Sequence, residues 1–251
     1  MIIIKSPREI ELIRKSCRIV VDTFEYIGKI IRPGIETREI DREVEKFVRA
    51  SGAKPAFKGY RGFPASTCIS VDDEVVHGVP NKRKLRPGQI VSIDIGVEFQ
   101  SYFGDGAKTF IIGEIPDRIK NLLRITKEAL YRGIDAAKVG NRLSDISNSI
   151  QTHVERAGFS VVRDLVGHGV GRKLHEDPQI PNYGPPNQGP RLKPGMVLAI
   201  EPMVNMGNYE VFFDDDDKWT VRTVDGLPSA HFEHTIAITE NGTDILTDGL
   251  L

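Results

Sequence analysis

The sequence has little cysteine, no excess charge of either sign and no long hydrophobic run. Cys17 and Cys68 are too few for a disulfide framework, and we expect both to be buried small hydrophobic residues. The 34 Lys and Arg residues nearly balance the 35 Asp and Glu residues, which gives no electrostatic case for binding nucleic acid or an anionic membrane. The apolar runs fall far short of the roughly 20 residues that span a bilayer. Residues 1–5 lack the apolar core of a signal peptide, so we expect a cytoplasmic protein.

The sequence does contain an internal repeat. Leu85–Asp94 (LRPGQIVSID) recurs 107 positions later as Leu192–Glu201 (LKPGMVLAIE), with a Pro-Gly turn, an apolar run and a final carboxylate in both copies. Upstream, the glycine-bounded segment 34–52 recurs as 140–158, offset by 106. A chain that repeats its helices, turns and strands is typical of a duplicated domain folded about a pseudo-two-fold axis. The two carboxylates would then face each other across that axis, which points to chemistry.

The local patterns predict helices and strands in the same order in both halves. Capping signals and apolar spacing predict four helices: from Ser6 to before Pro33, about Thr37–Ala50, about Pro116–Ala137 and about Ser144–Ala157. Strand-like runs fall at 89–97, 106–112, 160–166, 196–204, 219–224 and 232–239, whereas the proline-rich loop 176–190 reads as irregular. We predict one α+β catalytic domain over 1–251, with halves of about 6–113 and 116–240. A central, largely antiparallel sheet would carry helices on its outer face.

Two carboxylates lie on the strands of a predicted hairpin. With the turn centred between Phe99 and Gln100, Asp94 and Asp105 would stand directly opposite each other on one face. Two bare carboxylates there would repel, and a divalent cation between them removes the repulsion. A solvated polar hairpin face is the alternative, but Asp94 lies within an apolar run. We therefore expect metal binding.

Three more residues extend this set. Glu201 is the repeat mate of Asp94, Glu233 begins the predicted last strand, and His168 lies in VGHGVG, where the glycines allow close backbone approach. Four carboxylates and one imidazole suit Mn, Fe(II), Co or Mg, with Zn as a further candidate, and disfavour copper or an iron–sulfur cluster. Four negative charges match two divalent cations, an arrangement that activates a bridging water.

These motifs closely resemble those of the type I, bacterial-like methionine aminopeptidases, a family of pita-bread metallopeptidases. The matching residues are Asp94 and Asp105 eleven positions apart, His168 in GHGVG, Glu201 in IEPM and Glu233 in FEHT. The resemblance runs from about Ser6 to the C-terminus and implies the pita-bread fold, two pseudo-symmetric halves around a dinuclear centre. The short interval between His168 and Glu201 leaves no room for the helical insertion of type II enzymes.

The resemblance also implies an activity. A methionyl aminopeptidase removes the N-terminal methionine from nascent proteins and peptides that have a small second residue. The reaction would be attack on the first peptide bond by a hydroxide activated by two divalent ions (Co, Mn, Fe(II) or Zn). We expect a monomer whose partners are nascent polypeptide N-termini at the ribosome, without nucleic-acid specificity and without membrane association.

Residue roles follow from the same resemblance. His175 would donate to the scissile carbonyl and its oxyanion, His77 would contact the substrate at the bond being cut, and Glu201 would shuttle a proton while also ligating metal. The methionine pocket falls on Tyr60, Phe63, Cys68 and Trp219. Aromatic and soft sulfur groups suit a thioether side chain, although such residues taken singly are typical of core packing. Phe57 and Arg61 occupy rim positions where relatives often differ.

Other histidines and acids receive structural interpretations. His231 would share a strand face with Glu233. Many relatives carry glutamine at the position of His231, and we expect this histidine to hydrogen-bond rather than to ligate metal. His234 would point to the opposite face and His153 would lie at a core edge. The run Asp214–Asp217 reads as a solvated hairpin turn, with an extra cation site as the alternative.

Two other functions remain open at this stage. An X-prolyl aminopeptidase would use the same metal centre on a different substrate. A catalytically inactive pita-bread binding module would recognise protein or RNA, although such relatives typically lose metal ligands and this sequence keeps all five.

Overall fold

Four helices pack against antiparallel strands in the computed structural model, which describes residues 1–251. The helices are α1 (Pro7–Ile30), α2 (Thr37–Ala50), α3 (Asp117–Ala136) and α4 (Leu143–Arg156). The bounds of α2 are those predicted, and both ends of α3 and α4 lie within one residue of the prediction. Helix α1 begins directly after Ser6 and ends before Pro33, as expected. None of the four has the length and apolar character that a membrane crossing requires.

The start of α1 shows how the sequence sets these bounds. The Ser6 hydroxyl accepts a hydrogen bond from the Glu9 N–H, and the Glu9 carboxylate accepts from the Ser6 N–H, which forms a capping box. Pro7 occupies the first turn, where its missing N–H costs no helical hydrogen bond. The predicted apolar stripe faces inward, with Ile13 and Cys17 both fully buried.

The strands form four antiparallel sheets rather than one continuous sheet. They are β1 (Lys54–Pro55), β2 (Cys68–Val71), β3 (Glu74–Val76), β4 (Gln89–Phe99), β5 (Tyr102–Ile112), β6 (Ser160–Val161), β7 (Val166–Gly169), β8 (Glu176–Pro181), β9 (Val197–Ile200), β10 (Met203–Asn205), β11 (Val211–Phe213), β12 (Val221–Thr223), β13 (Ser229–His231), β14 (His234–Thr239) and β15 (Gly242–Ile245). One main sheet has the order β1-β4-β2, with β5 on β4, and the other runs β15-β14-β9-β7-β8. The smaller sheets are β13-β10-β6 and β11-β12-β3.

The two main sheets meet where β5 runs beside β14. The Thr235 hydroxyl donates to the Asp105 carbonyl at 2.8 Å and accepts from the Asp105 N–H at 3.2 Å. The Glu233 N–H donates to the Ala107 carbonyl at 3.0 Å. This junction joins a strand of the first half to a strand of the second, so the candidate ligands of both halves converge there.

The duplication is visible in the backbone. An isolated bridge between Glu36 and Lys84 recurs as one between Arg142 and Arg191, at the positions that the repeat predicts. The paired turn glycines share a left-handed conformation: Gly34 at φ 87° and Gly140 at φ 92°, Gly88 at φ 91° and Gly195 at φ 86°. Each half also has its own apolar core, one beneath α1 and α2 and one beneath α3 and α4. The chain thus has the two pseudo-symmetric halves and antiparallel sheets expected of the pita-bread fold.

Two predictions about the second half are wrong. The segment 176–190 is not irregular throughout, because its first six residues form β8, which pairs with β7. β8 lies at a sheet edge, where Pro178 and Pro181 are tolerated because their missing N–H groups interrupt no central ladder. Glu233 precedes β14, which is not the last strand, since β15 follows it.

Candidate metal centre

The β4–β5 hairpin presents two of the candidate ligands. Asp94 pairs with Ala107, and Asp105 pairs with Gly96, so the prediction that the two aspartates stand directly opposite is wrong. They are diagonal neighbours offset by two residues, which keeps both on the same face. The reason lies in the turn. Gln100 and Ser101 form it with φ angles of 51° and 64°, one residue further along than the sequence suggested.

His168 is held in place by its own strand. Its Nδ1–H donates to the Gly169 carbonyl at 3.0 Å, which fixes the tautomer because a carbonyl can only accept. Its Nε2 is left facing the acids, 3.7 Å from Asp105 Oδ2 and 3.4 Å from Glu201 Oε1. An imidazole nitrogen that faces carboxylate oxygens in this way has the geometry in which a histidine ligates a metal ion.

The glycines beside His168 are required by close backbone contacts. A Cβ on Gly167 would lie 2.5 Å from the Ala199 carbonyl oxygen, and one on Gly169 would lie 2.2 Å from that of Asp177. Both distances are shorter than side chains tolerate. The strands on either side of β7 can therefore approach closely only because glycines flank the ligand, as the sequence predicted.

The donor atoms converge at the sheet junction. One donor atom each from Asp105, His168 and Glu233 lies within 4.8 Å of the others, and all three residues are buried. Glu201 follows β9, and its Oε1 lies 3.4 Å from His168 Nε2. Asp94 Oδ1 and Glu233 Oε1 are buried without any hydrogen-bond partner. Such oxygens are costly unless a cation contacts them, so the five residues fit divalent metal.

Electrostatics supports the same conclusion. Burial raises the pKa of Asp94 to about 7, with Glu201 raising it further while His231 lowers it, and burial raises the pKa of Glu201 to about 7. Burial and then the neighbouring carboxylates raise the pKa values of Asp105 and Glu233 well above their ordinary range. Without a cation these groups resist ionisation at neutral pH. A divalent ion reverses this by stabilising the charged carboxylates.

Two further histidines border the cluster. His175 follows the β7–β8 loop, with its ring centroid 4.3 Å from that of His168, and its Nδ1 lies 2.8 Å from the Tyr60 hydroxyl. His77 follows β3 with a left-handed φ of 58°. Burial lowers both pKa values, to about 3 for His175, where His168 adds to the effect, and to about 4 for His77. Both imidazoles are therefore neutral at physiological pH.

A cavity of about 530 Å³ opens beside the acids, a size that suits a small ligand. The four residues of the predicted methionine pocket line it together with the five candidate ligands and both histidines. The Phe63 and Trp219 rings meet edge to face at 5.3 Å. Phe57 and Arg61 also line the cavity. The structure thus brings the sequence-predicted site residues into one place.

The sequence analysis missed five apolar lining residues, which are Val76, Leu165, Val166, Leu174 and Met203. Leu174 and Met203 each face the cavity with only 1% of their surface exposed. Leu174 stands directly before His175, so its position in the chain was a usable signal. Met203 follows the IEP motif of Glu201 and could have been found in the same way.

Two of the remaining histidines make structural contacts, as predicted. His234 Nδ1 lies 2.8 Å from the Thr247 hydroxyl, and His153 Nε2 lies 3.0 Å from a Glu128 oxygen. His231 is buried with Nε2 3.6 Å from Glu201 Oε2, but neither ring nitrogen has a hydrogen-bond partner, so the expectation that it hydrogen-bonds is wrong. The segment Asp214–Asp217 forms the predicted turn between β11 and β12, in which the Asp214 carboxylate accepts from Arg222 and the Asp217 carboxylate accepts from the Trp219 N–H.

Comparison with known proteins agrees with this geometry. The chain matches metallopeptidase family M24 over residues 11–240. It is 59% identical to methionine aminopeptidase 1 of Bacillus subtilis, over 98% of this chain and 99% of that protein. The crystal structure of methionine aminopeptidase from Thermotoga maritima superposes with a TM-score of 0.96 at 51% identity, covering 98% of this chain and 99% of that one. Prolidase from Pyrococcus furiosus gives 0.81 at 29% identity, covering 98% and 65%.

Proposed function

The chain belongs to metallopeptidase family M24 and to its methionine aminopeptidases, and we propose that its sheet junction is the metal centre that removes N-terminal methionine. The observation that carries this proposal is the convergence of donor atoms from Asp105, His168 and Glu233 in a cavity that Asp94 and Glu201 also line, with buried carboxylate oxygens that lack partners. The proposed ligands are Asp94, Asp105, His168, Glu201 and Glu233. The enzyme is a metallo-exopeptidase that hydrolyses the first peptide bond.

We propose two divalent ions per chain, drawn from Co, Mn, Fe(II) or Zn, because four carboxylates balance two double positive charges. When bound, the ions lower the pKa of a water and polarise the scissile carbonyl. Asp94 and Asp105 reach the centre from the first half, and the other three ligands reach it from the second. The two halves would therefore hold the metal ions between them.

Glu201 is the proposed proton carrier. Its carboxylate lines the cavity, where it would take a proton from the attacking water and release it again. His168 Nε2 lies 3.4 Å from one of its oxygens, so both residues present donor atoms to the same space. The proton taken from the attacking water would pass through Glu201 to the leaving amine.

His175 and His77 are the proposed hydrogen-bond donors to the substrate. His175 Nδ1 lies 2.8 Å from the Tyr60 hydroxyl. We propose that the hydroxyl donates to Nδ1, which would leave the proton on Nε2 to face the cavity. From there the imidazole stabilises the oxyanion that develops on the scissile carbonyl. His77 lines the same cavity and would contact the substrate at the bond that is cut.

The side chain of the first residue would enter the aromatic part of the cavity. Tyr60, Phe63, Cys68 and Trp219 surround a space that fits an unbranched thioether, which makes favourable sulfur–aromatic contacts. A small second residue is the further requirement that we propose. We also propose that residues 1–251 act as one catalytic domain, as a cytoplasmic monomer on nascent chains at the ribosome.

Hydrolysis of three tripeptides tests the assignment. Met-Ala-Ser should be cleaved much faster than Ala-Pro-Ala by the metal-reconstituted enzyme, and Met-Leu-Ser should be cleaved slowly if the second residue must be small. Faster cleavage of Ala-Pro-Ala would make the enzyme an X-prolyl aminopeptidase. The Asp105→Asn variant serves as the inactive control. A protein that neither contains nor binds divalent metal would instead be a binding module.

A further inference from the structure

A buried ion pair joins the N-terminal segment to the loop that carries His175. Lys5 Nζ lies 2.8 Å from Glu176 Oε2, and each side chain is only 4% exposed. Among the lysine and arginine ion pairs of this protein, no other has both side chains so deeply buried. Burying two charges is costly, and pairing offsets that cost only in good geometry. A pair in this position therefore calls for an explanation beyond stability.

The chain leaves room for the pair by placing a glycine against it. A Cβ on Gly171 would lie 2.5 Å from Glu176 Oε1 and 2.8 Å from Lys5 Cε. The same Glu176 Oε1 accepts a hydrogen bond from the Lys173 N–H at 3.1 Å. The segment between β7 and β8 thus folds back on the Glu176 carboxylate, which Lys5 holds from the other side.

Lys5 is itself fixed to the strand that leads to Glu201. Its N–H donates to the Gly195 carbonyl at 2.8 Å, in the Pro-Gly turn before β9. A Cβ on Gly195 would lie 2.7 Å from the Lys5 carbonyl oxygen, so the two backbones are in close contact. Lys5 therefore contacts the His175 loop through its ammonium group and the turn before β9, which leads to Glu201, through its backbone.

The end of this loop and the start of β8 line the substrate cavity with Leu174, His175, Glu176 and Asp177. Leu174 packs into the aromatic cluster with 1% exposure, and His175 follows directly with its Nδ1 against Tyr60. Glu176 is the next residue, so a contact that fixes the Glu176 backbone also fixes the backbone from which the imidazole projects. We propose that Lys5 and Glu176 are positioning residues that hold the His175 imidazole where the scissile carbonyl develops charge; this rests on the role proposed above for His175.

The experiment compares Lys5→Met, Glu176→Gln and the double variant in the metal-reconstituted enzyme. Each single variant should lower kcat and kcat/KM together by about tenfold or more with little change in KM, because the lost alignment acts mainly in the transition state. The double variant removes both charges, so it should regain stability over the Lys5→Met protein, yet kcat should stay low. Metal stoichiometry should be unchanged, since neither residue touches a ligand.

Two controls separate positioning from general effects. Lys29→Met removes an exposed ion pair with Glu25, whose side chains are 68% and 67% exposed, and should leave the kinetics unchanged. In nitrogen-15 spectra of the histidine rings, the His175 signals should move in Lys5→Met whereas those of His153 should not. If Lys5→Met does not fold, Gly171→Ala takes its place, because it displaces the pair while keeping both charges.

The outcomes are distinct. The positioning proposal is overturned if the folded variants keep kcat within about twofold of the parent while His175→Ala loses it, or if kcat recovers together with stability in the double variant. If His175→Ala itself keeps kcat, the role assigned to His175 is wrong and the positioning proposal falls with it. Loss of kcat with unmoved His175 signals also overturns the proposal, because the effect would then not pass through that imidazole.

Discussion

Gly169→Ala should disturb the metal centre through backbone contact alone. The φ of Gly169 lies outside the left-handed region, so alanine can adopt the same backbone. Its Cβ, however, would lie 2.2 Å from the carbonyl oxygen of Asp177, whereas ordinary contacts begin at 3.4 Å. The difference between these distances means that β7 and β8 must separate locally by about 1.2 Å.

The separation should lower both stability and metal affinity. Forcing an extra methyl group into a packed interior typically costs about 1–3 kcal/mol of unfolding free energy. The neighbouring His168 donates to the Gly169 carbonyl, so a shift of that carbonyl also turns the ligand. Misplacing a group by about 1 Å in an active site can cost roughly 10² in rate, and we expect a loss of that order at limiting metal.

Urea unfolding, titration with Mn²⁺ or Co²⁺ and kcat/KM on Met-Ala-Ser would measure these effects. Gly28→Ala is the matched control, because Gly28 lies in α1 with nothing within 4 Å of an added Cβ. It should gain about 1 kcal/mol from higher helix propensity and keep full activity. If Gly169→Ala unfolds at the same urea concentration as the parent and binds metal equally well, close strand spacing does not hold His168.

Three other predictions concern the centre itself. In protein stripped of metal by a chelator, Asp94 binds a proton up to about pH 7, whereas the unfolded chain releases it near pH 4. The free energy of unfolding should therefore fall as pH rises from 4 to 7, by on the order of 4 kcal/mol for this group, and a rise in urea-unfolding experiments would contradict the burial argument. His175→Ala should lose roughly 10²–10³ in kcat with metal content unchanged, whereas His168→Ala should lose metal first and recover partly in excess metal; the opposite pattern would exchange their roles. Glu201→Gln should stay slow even at saturating metal, since it also lacks the proton carrier, and full recovery would refute that role.

The sequence was most informative where local chemistry decides structure. Ser6, Pro7 and Glu9 predict the start of α1 because a capping box satisfies backbone groups that no distant contact needs to supply. The repeat predicted the mirrored turns because Pro-Gly at the start of each main strand imposes the same backbone in both halves. The resemblance of the five ligand motifs to a known family then predicted that the candidate site residues form one centre.

The errors arose where tertiary context decides. The register of β4 and β5 depends on a turn in which Gln100 and Ser101 both adopt positive φ, a conformation that their side chains do not indicate. The hairpin register therefore differs from the expected one. Pro178 marked an irregular loop in the sequence, yet it is accommodated at a sheet edge. The Lys5–Glu176 pair joins residues 171 positions apart, beyond the reach of local pattern.

The duplication has a consequence for direction. A cleft with true two-fold symmetry would accept an extended peptide equally well in two opposite orientations. Here the symmetry survives in the paired turns and in both pairs of carboxylates, because β14 pairs with β9 as β5 pairs with β4, so that Glu233 takes the place of Asp105. His168 is the exception, since Arg61 or Gly62 stands at the corresponding offsets. A side chain that only one half supplies gives the cleft a polarity, so the two orientations of a peptide are not equivalent.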